Sequence, residues 1–191
     1  MDVSYESVRY WWHRFGSQFA NQIKKCRAGG IQSSNWKWHL DEVFVKINGE
    51  RHDLWRAVDH EGEVLESYVT KKRDKKAALK FMKKAMRRYG SPTEIVTDRL
   101  QSYSAAAKEL GCADKQVTQR WANNRAENSH LPFRRRERAM LRFRRMHSLQ
   151  RFASIHASFH NLFNSQRSLS TRSTFKLNRD AALTEWRSLV A

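Results

Sequence analysis

With 37 Lys and Arg against 19 Asp and Glu in 191 residues, a formal net charge of +18, the chain is long enough for one substantial core and far more basic than solubility requires. Such an excess points to a polyanionic partner, and nucleic acid suits it best because each neutralised phosphate releases a condensed counterion; an anionic membrane surface is the competing partner. No apolar run is long enough to span a bilayer, the start MDVSYESVRYWW lacks the layout of a secretory signal, and Cys26 and Cys112 form neither a disulfide framework nor a zinc pattern, so a cytoplasmic chain with no membrane segment is expected.

In chain order, Val8, Trp11, Trp12, Phe15, Phe19 and Ile23 recur at three- and four-residue steps and predict an amphipathic helix. A basic, Gly-containing stretch follows, from Lys24 to Asn35, and its lack of periodicity reads as a linker. From Trp36 the pattern alternates. Val43, Val45 and Ile47 share one parity, Leu40 and Phe44 the other, as in a strand buried on both faces. Asn48-Gly49 supplies the positive φ angles of a type I′ turn, so a hairpin is expected, its second strand near Asp53 to Asp59. Glu61-Gly62 turns the chain again into Val64 to Thr70, completing an antiparallel meander.

Asp74 is placed to cap a helix whose apolar stripe is Ala77, Ala78, Phe81, Met82, Ala85, Met86 and Tyr89, with lysines and arginines opposite and Gly90 as its stop. Glu94 to Asp98 reads as a short strand ending on an acid. An Ala-rich helix around Tyr103 to Leu110 and a strand near Gln116 to Trp121 come next. Helix is then expected from Asn124 to about Arg145, with Pro132 kinking it and Asn124 as its cap, and again from Ser148 through Phe163; the last twenty-odd residues read as weakly ordered. The order βββ-α-β-α-β-α-α predicts an α/β fold, a mixed five-stranded sheet flanked by helices.

In that order three carboxylates converge despite gaps of 57 and 29 residues: Asp41 in the first strand, Asp98 at the end of the fourth, and Glu127 early in the helix after the fifth. Three clustered anions repel one another unless cations occupy the space between them, and hard divalent ions with oxygen ligands, above all Mg²⁺ with Mn²⁺ as the alternative, meet that need. Two such ions can activate an attacking oxygen and stabilise a leaving one at phosphorus. Glu42 is a rival ligand, but strand alternation points it to the opposite face and gives it a structural reading. His130, three residues after Glu127, is read either as a contact to the site or as a surface histidine. Arg134, Arg135, Arg136, Arg138, Arg142, Arg144 and Arg145 form a charge run dense enough for phosphate contacts, and Trp36, Trp38, Trp55 and Trp121 read as core or rim aromatics.

Four blocks of sequence recur in order: His39 to Gly49 (HLDEVFVKING), Leu54 to Asp59 (LWRAVD), Thr97 to Leu100 (TDRL), and Asn123 to His130 (NNRAENSH) with Arg134 to Arg138. Over about Val3 to Phe163 the chain resembles the insertion-sequence-six group of DDE transposases. The resemblance implies a ribonuclease-H-like fold, Asp41, Asp98 and Glu127 as catalytic residues and metal ligands, and double-stranded DNA, both element ends and target, as substrate. It further implies a homodimer and a bacterial cytoplasmic setting, with nucleoid association only through DNA. Residues 1–28 resemble the closing helix of a helix-turn-helix end-binding module, residues 29–165 the DDE catalytic domain, and residues 166–191 form a C-terminal tail. Two other readings stay open at this point: a metal-dependent nuclease on the same fold, and a non-catalytic DNA-binding remnant.

Overall fold

The computed structural model describes residues 2–30, 37–119, 122–140, 143–163 and 171–190. Its elements are α1 (Tyr5–Gly30), β1 (Lys37–Ile47), β2 (Glu50–Val58), β3 (Val64–Thr70), α2 (Lys75–Tyr89), β4 (Glu94–Thr97), α3 (Gln101–Glu109), a 3₁₀ turn (Ala113–Lys115), β5 (Gln116–Val117), α4 (Asn124–Ala139), α5 (Met146–Phe163) and α6 (Arg172–Val190). The five strands form one mixed sheet in the order β3-β2-β1-β4-β5. β1, β2 and β3 pair antiparallel, whereas β4 lies parallel to β1 and β5 parallel to β4.

Local chemistry explains the first hairpin and the first crossover. Asn48 and Gly49 both have positive φ, 50° and 86°, as the type I′ turn demands. Asp74 accepts a hydrogen bond from the Ala77 backbone N–H at 2.9 Å, and Gly90, with φ 79°, ends α2.

Strand alternation then divides the core in two. On one face Trp38, Leu40, Trp55, Ala57 and Leu65 pack against Phe81 and Met82 of α2 and Tyr103 and Ala106 of α3. Trp55 anchors this layer: its ring is edge-on to Tyr103 at 5.4 Å between centroids, and its Nε1 donates to Thr70 Oγ1 at 2.7 Å. On the other face Val43, Val45, Ile47, Leu54 and Val69 meet Phe133 of α4 and Leu149, Phe152 and Ala153 of α5. Helix α1 crosses α5 there, so close that a Cβ at Gly16 would lie 3.2 Å from Ile155 Cδ1.

The edge strand β3 is covered by side chains of α5. Gln150 accepts from Val69 N–H and donates to Ser67 carbonyl, each at 2.8 Å, while Asn161 accepts from Val64 N–H and donates to its carbonyl, each at 2.9 Å. Two amides thus stand where a sixth strand would pair.

Several expectations need correction. The supposed linker from Lys24 is helical through Gly30, because Ile23 is fully buried and Lys24 reaches the buried Glu66, while residues 31–36, Trp36 among them, lie outside the described residues. β5 spans two residues rather than six, its register set only by Ile95 and Val96 of β4; Trp121 is not described. Helix α4 stops at Ala139 instead of continuing to Arg145. Phe143 is buried, and Asn48 of the hairpin turn binds this segment, its N–H reaching Phe143 carbonyl at 3.4 Å and its Nδ2 Arg144 carbonyl at 2.9 Å. The tail is ordered as α6, which sets Trp186 against Phe19 and Phe159 at centroid distances of 5.1 and 5.4 Å.

Candidate active site

The parallel pairing of β1 and β4 sets Leu40 opposite Thr97, so Asp41 and Asp98 follow side by side where β4 ends. Because no strand continues past Asp98 along this edge, side chains from both faces of β1 can meet there. Asp41, Glu42 and Asp98 each offer a carboxylate oxygen, and the three oxygens lie within 4.8 Å of one another. Alternation does send Glu42 to the face opposite Asp41, as expected, yet its carboxylate joins the group at the open edge.

Arg73, from the loop before α2, is ion-paired to Glu42 and lies 3.4 Å from Asp98 Oδ2. Asp98 Oδ1 accepts from Leu100 N–H at 3.0 Å, which fixes the turn into α3. Beneath them Tyr103 is fully buried. Burial and the charges of Glu42, Asp41 and Asp98 hold its phenol well above the usual range.

Two carboxyls of the cluster are costly to ionise where they lie. Burial pushes the Asp41 carboxyl up to about 6, and the charges of Asp98 and Glu127 add to it against a hydrogen bond from the Glu42 backbone. Burial likewise pushes Glu42 to about 7, with Asp98 raising it further and Arg73 opposing. Glu42 Oε2 is buried with no hydrogen-bond partner. Crowded carboxylate oxygens, those of Asp41 and Glu42 of raised basicity and one of Glu42 without a hydrogen-bond partner, suit a hard divalent cation.

Glu127 sits on the first turn of α4, exposed and outside the tight group, although near enough for its charge to act on Asp41. What places it is Asn123, whose Nδ2 donates to the Leu40 carbonyl at 2.9 Å and ties the start of α4 to β1 beside Asp41. Asn123, not Asn124, occupies the cap position, but it makes no side-chain cap bond: its Nδ2 is turned to β1 and its Oδ1 is buried without a hydrogen-bond partner. One turn later His130 is buried rather than on the surface, with Nδ1 3.8 Å from Asp41 Oδ2. Burial, then Arg56 and Arg134, pull its imidazole down to about 3. The ring is therefore neutral at pH 7 and supplies no charge to Asp41.

Arg56, opposite Asp41 on β2, escaped sequence reasoning altogether. It is fully buried, donates to Ser129 carbonyl at 3.1 Å and lies 5.8 Å over the Phe133 ring. Ser129 follows the residue whose helical partner would be the missing N–H of Pro132, so Arg56 braces α4 beside the proline. Arg73 and Tyr103 were missed as well; the available signal was that Glu42 and Asp98 together demand a cation.

Of the candidate phosphate contacts, Arg135, Arg136, Arg138, Arg144 and Arg145 are exposed, whereas Arg134 is half-buried and paired with Glu137; Arg142 lies outside the described residues. Trp38 and Trp55 are core, as expected.

A family model described as a DDE domain matches residues 35–166. The chain belongs to the DDE domain family of insertion-sequence transposases. Among curated relatives, it is 30% identical over 131 residues to the transposase for insertion sequence-like element IS431mec of Staphylococcus aureus strain Mu50, and likewise to the Staphylococcus aureus transposase for insertion sequence element IS257 in transposon Tn4003. Each match takes in 66% of this chain and 57% of the relative, so the chain spans little more than half the length of those transposases. Among solved structures, it is similar to the HTLV-2 integrase catalytic core domain in complex with magnesium (trimeric form), with a TM-score of 0.54 and 17% identity over 76% of this chain and 97% of that one. The fold is the ribonuclease-H-like one that the resemblance implied. No helix among the described residues is long and apolar enough to cross a membrane.

Proposed function

We propose that this DDE-family chain carries out Mg²⁺-dependent cleavage and strand transfer on double-stranded DNA during insertion-sequence transposition, with Asp41, Asp98 and Glu127 as catalytic residues and metal ligands. The observation that carries the reading is the meeting of Asp41 and Asp98 carboxylates at the open edge between β1 and β4, with the charge of Glu127 acting on Asp41 from α4. When bound, divalent ions, Mg²⁺ or Mn²⁺, supply Lewis-acid stabilisation of the attacking and leaving oxygens at phosphorus. The residues of the chain hold and orient. Asp41 within β1 and Asp98 just past the end of β4 set two carboxylates side by side, Asn123 sets the position of Glu127, and Arg73 restrains Glu42 and Asp98.

Arg135, Arg136, Arg138, Arg144 and Arg145, with Arg142, would contact phosphates of the element end or target, while Arg134 is more tied to Glu137. We read residues 29–165 as the catalytic domain, 1–28 as the closing helix of an end-binding module and 166–191 as a C-terminal tail, acting as a homodimer.

Strand transfer of a pre-cleaved, labelled DNA end into plasmid tests the reading. Joined product that requires Mg²⁺ and vanishes in Asp98→Ala supports it. Nicking without joining would replace it with a nuclease, and duplex binding indifferent to metal and to the mutation would replace it with a binding remnant.

A further inference from the structure

Helix α2 carries a second strongly basic surface, on the sheet face opposite to α4 and α5. Its buried side is apolar. Its outer side presents Lys76, Lys80, Lys83, Lys84, Arg87 and Arg88, all exposed, around a shallow groove floored by Leu79. Lys76, Lys80, Lys83 and Arg87 follow steps of four, three and four residues, which lay them in one row along the helix. At 1.5 Å per residue the row is roughly 17 Å long. It begins three residues after Arg73, at the end of α2 that follows the loop carrying that arginine.

A solvated helix face ordinarily mixes both signs of charge, with acids four residues from bases. No acid occurs within α2. Lys84 and Arg88 are drawn to the buried Glu66, at 3.2 and 3.4 Å, and Lys75 to Glu109 at 2.7 Å. Among the described residues, Lys76, Lys80, Lys83 and Arg87 form no ion pair, although Lys83 is near enough to act on the charge of Glu109 and Lys80 lies 5.5 Å over the Tyr68 ring. Water and salt screen most of their mutual repulsion, and a polyanion laid along the row would gain from all four at once. A second copy of the same face would add to the repulsion.

We infer that the outer face of α2 is a second phosphate-backbone surface for duplex DNA, holding a stretch of duplex other than the one against the α4 arginines. The inference rests on the DNA-processing role proposed above and adds a partner surface to it. Roughly 17 Å of duplex axis carries about ten phosphate charges, ample for four unpaired cations in a row. Single strands are bound by stacking on aromatic platforms, and none is exposed on the stripe, where Tyr68 and Tyr89 are half-buried. Contacts made by lysines to phosphate carry no base information, so this surface positions DNA without reading it.

The test compares the chain with K80Q/K83Q/R87Q in fluorescence anisotropy on a random-sequence duplex across a salt series, with thermal midpoints measured in parallel. We expect an unchanged midpoint, roughly tenfold or greater loss of affinity at 0.1 M salt, and a slope of log K against log salt shallower by about 2 to 3, near 0.9 per lost phosphate contact. On the unmutated chain, bound duplex should shield Lys76, Lys80 and Lys83 from lysine acetylation read by mass spectrometry, a readout that does not depend on any variant folding. Unshielded lysines, or an unchanged slope, with wild-type binding intact would overturn the α2 surface and leave the proposed function standing. No duplex binding by the wild type would sink both. Binding to phosphatidylglycerol vesicles that the triple variant loses, with duplex binding unaffected, would reassign the surface to membrane.

Discussion

Removing the Asp41 charge should stabilise the metal-free protein. The carboxyl stands at about 6 rather than its ordinary 3.8, chiefly through burial, and at about 1.4 kcal/mol for each tenfold change in proton affinity that is about 3 kcal/mol. The side chain is 16% exposed, so the figure is an upper bound. The sign follows from linkage: a carboxyl raised in the folded state destabilises it where the group must ionise. The cost is therefore absent below about pH 4, grows between 4 and 6, and is complete above 6. Asp41→Asn keeps the shape and an acceptor for the Glu42 backbone without the charge. In chelator at pH 7.5 it should melt up to roughly 6–12 °C above the parent, and the gap should close at pH 4. Millimolar Mg²⁺ should narrow or reverse the order, because the parent alone keeps the full ligand set and gains by binding. A variant no more stable than its parent at pH 7.5 without metal, or a gap that persists unchanged at pH 4, would refute the account of Asp41 as a carboxyl that is costly to ionise.

Arg73→Gln should cost about 2–4 kcal/mol at pH 8, since it strands the buried Glu42 charge, and adding Glu42→Gln should restore most of it; a denaturation double-mutant cycle with no coupling would contradict the pairing. Trp55→Ala should lose about 3–5 kcal/mol in urea unfolding through the cavity beneath α2 and α3 and the broken bond to Thr70. Pro132→Ala, which restores an N–H inside α4, should gain about 1–2 kcal/mol by the same assay, less than the full helix penalty because proline also restrains the unfolded chain.

What was legible in the sequence is what neighbours in the chain decide. Asn48-Gly49 dictates its own turn, and Asp74 and Gly90 bracket α2 within a turn of where they act. Asp41 and Asp98 were expected to meet from the order of the elements, and the parallel pairing of β1 and β4 in the structure aligns their ends. The misses all concern partners far along the chain. Lys24 to Gly30 lacks helical periodicity, yet α1 runs through it, with Lys24 paired to the buried Glu66. Nothing local ends α4 before Phe143, which docks on Ile47 and is fastened by Asn48, about a hundred residues earlier. Trp186 looks like an isolated aromatic in a polar tail until Phe19 and Phe159 are beside it. Arg56 and Arg73 read as ordinary basic residues in a chain with 37 Lys and Arg, and only their burial and their bonds to Ser129, Glu42 and Asp98 distinguish them.

The amides of Gln150 and Asn161 bear on how the protein behaves in a crowd. An unpaired strand edge is a template for another chain, by strand swapping or by growth of a fibril. Here a helix of the same fold already occupies that template, at a sequence distance of some eighty to a hundred residues, so the protection exists only once α5 has docked. Until then, during synthesis, Val64 to Thr70 has an uncovered strand edge, and the interval between its emergence and that of α5 is the period in which aggregation competes with folding.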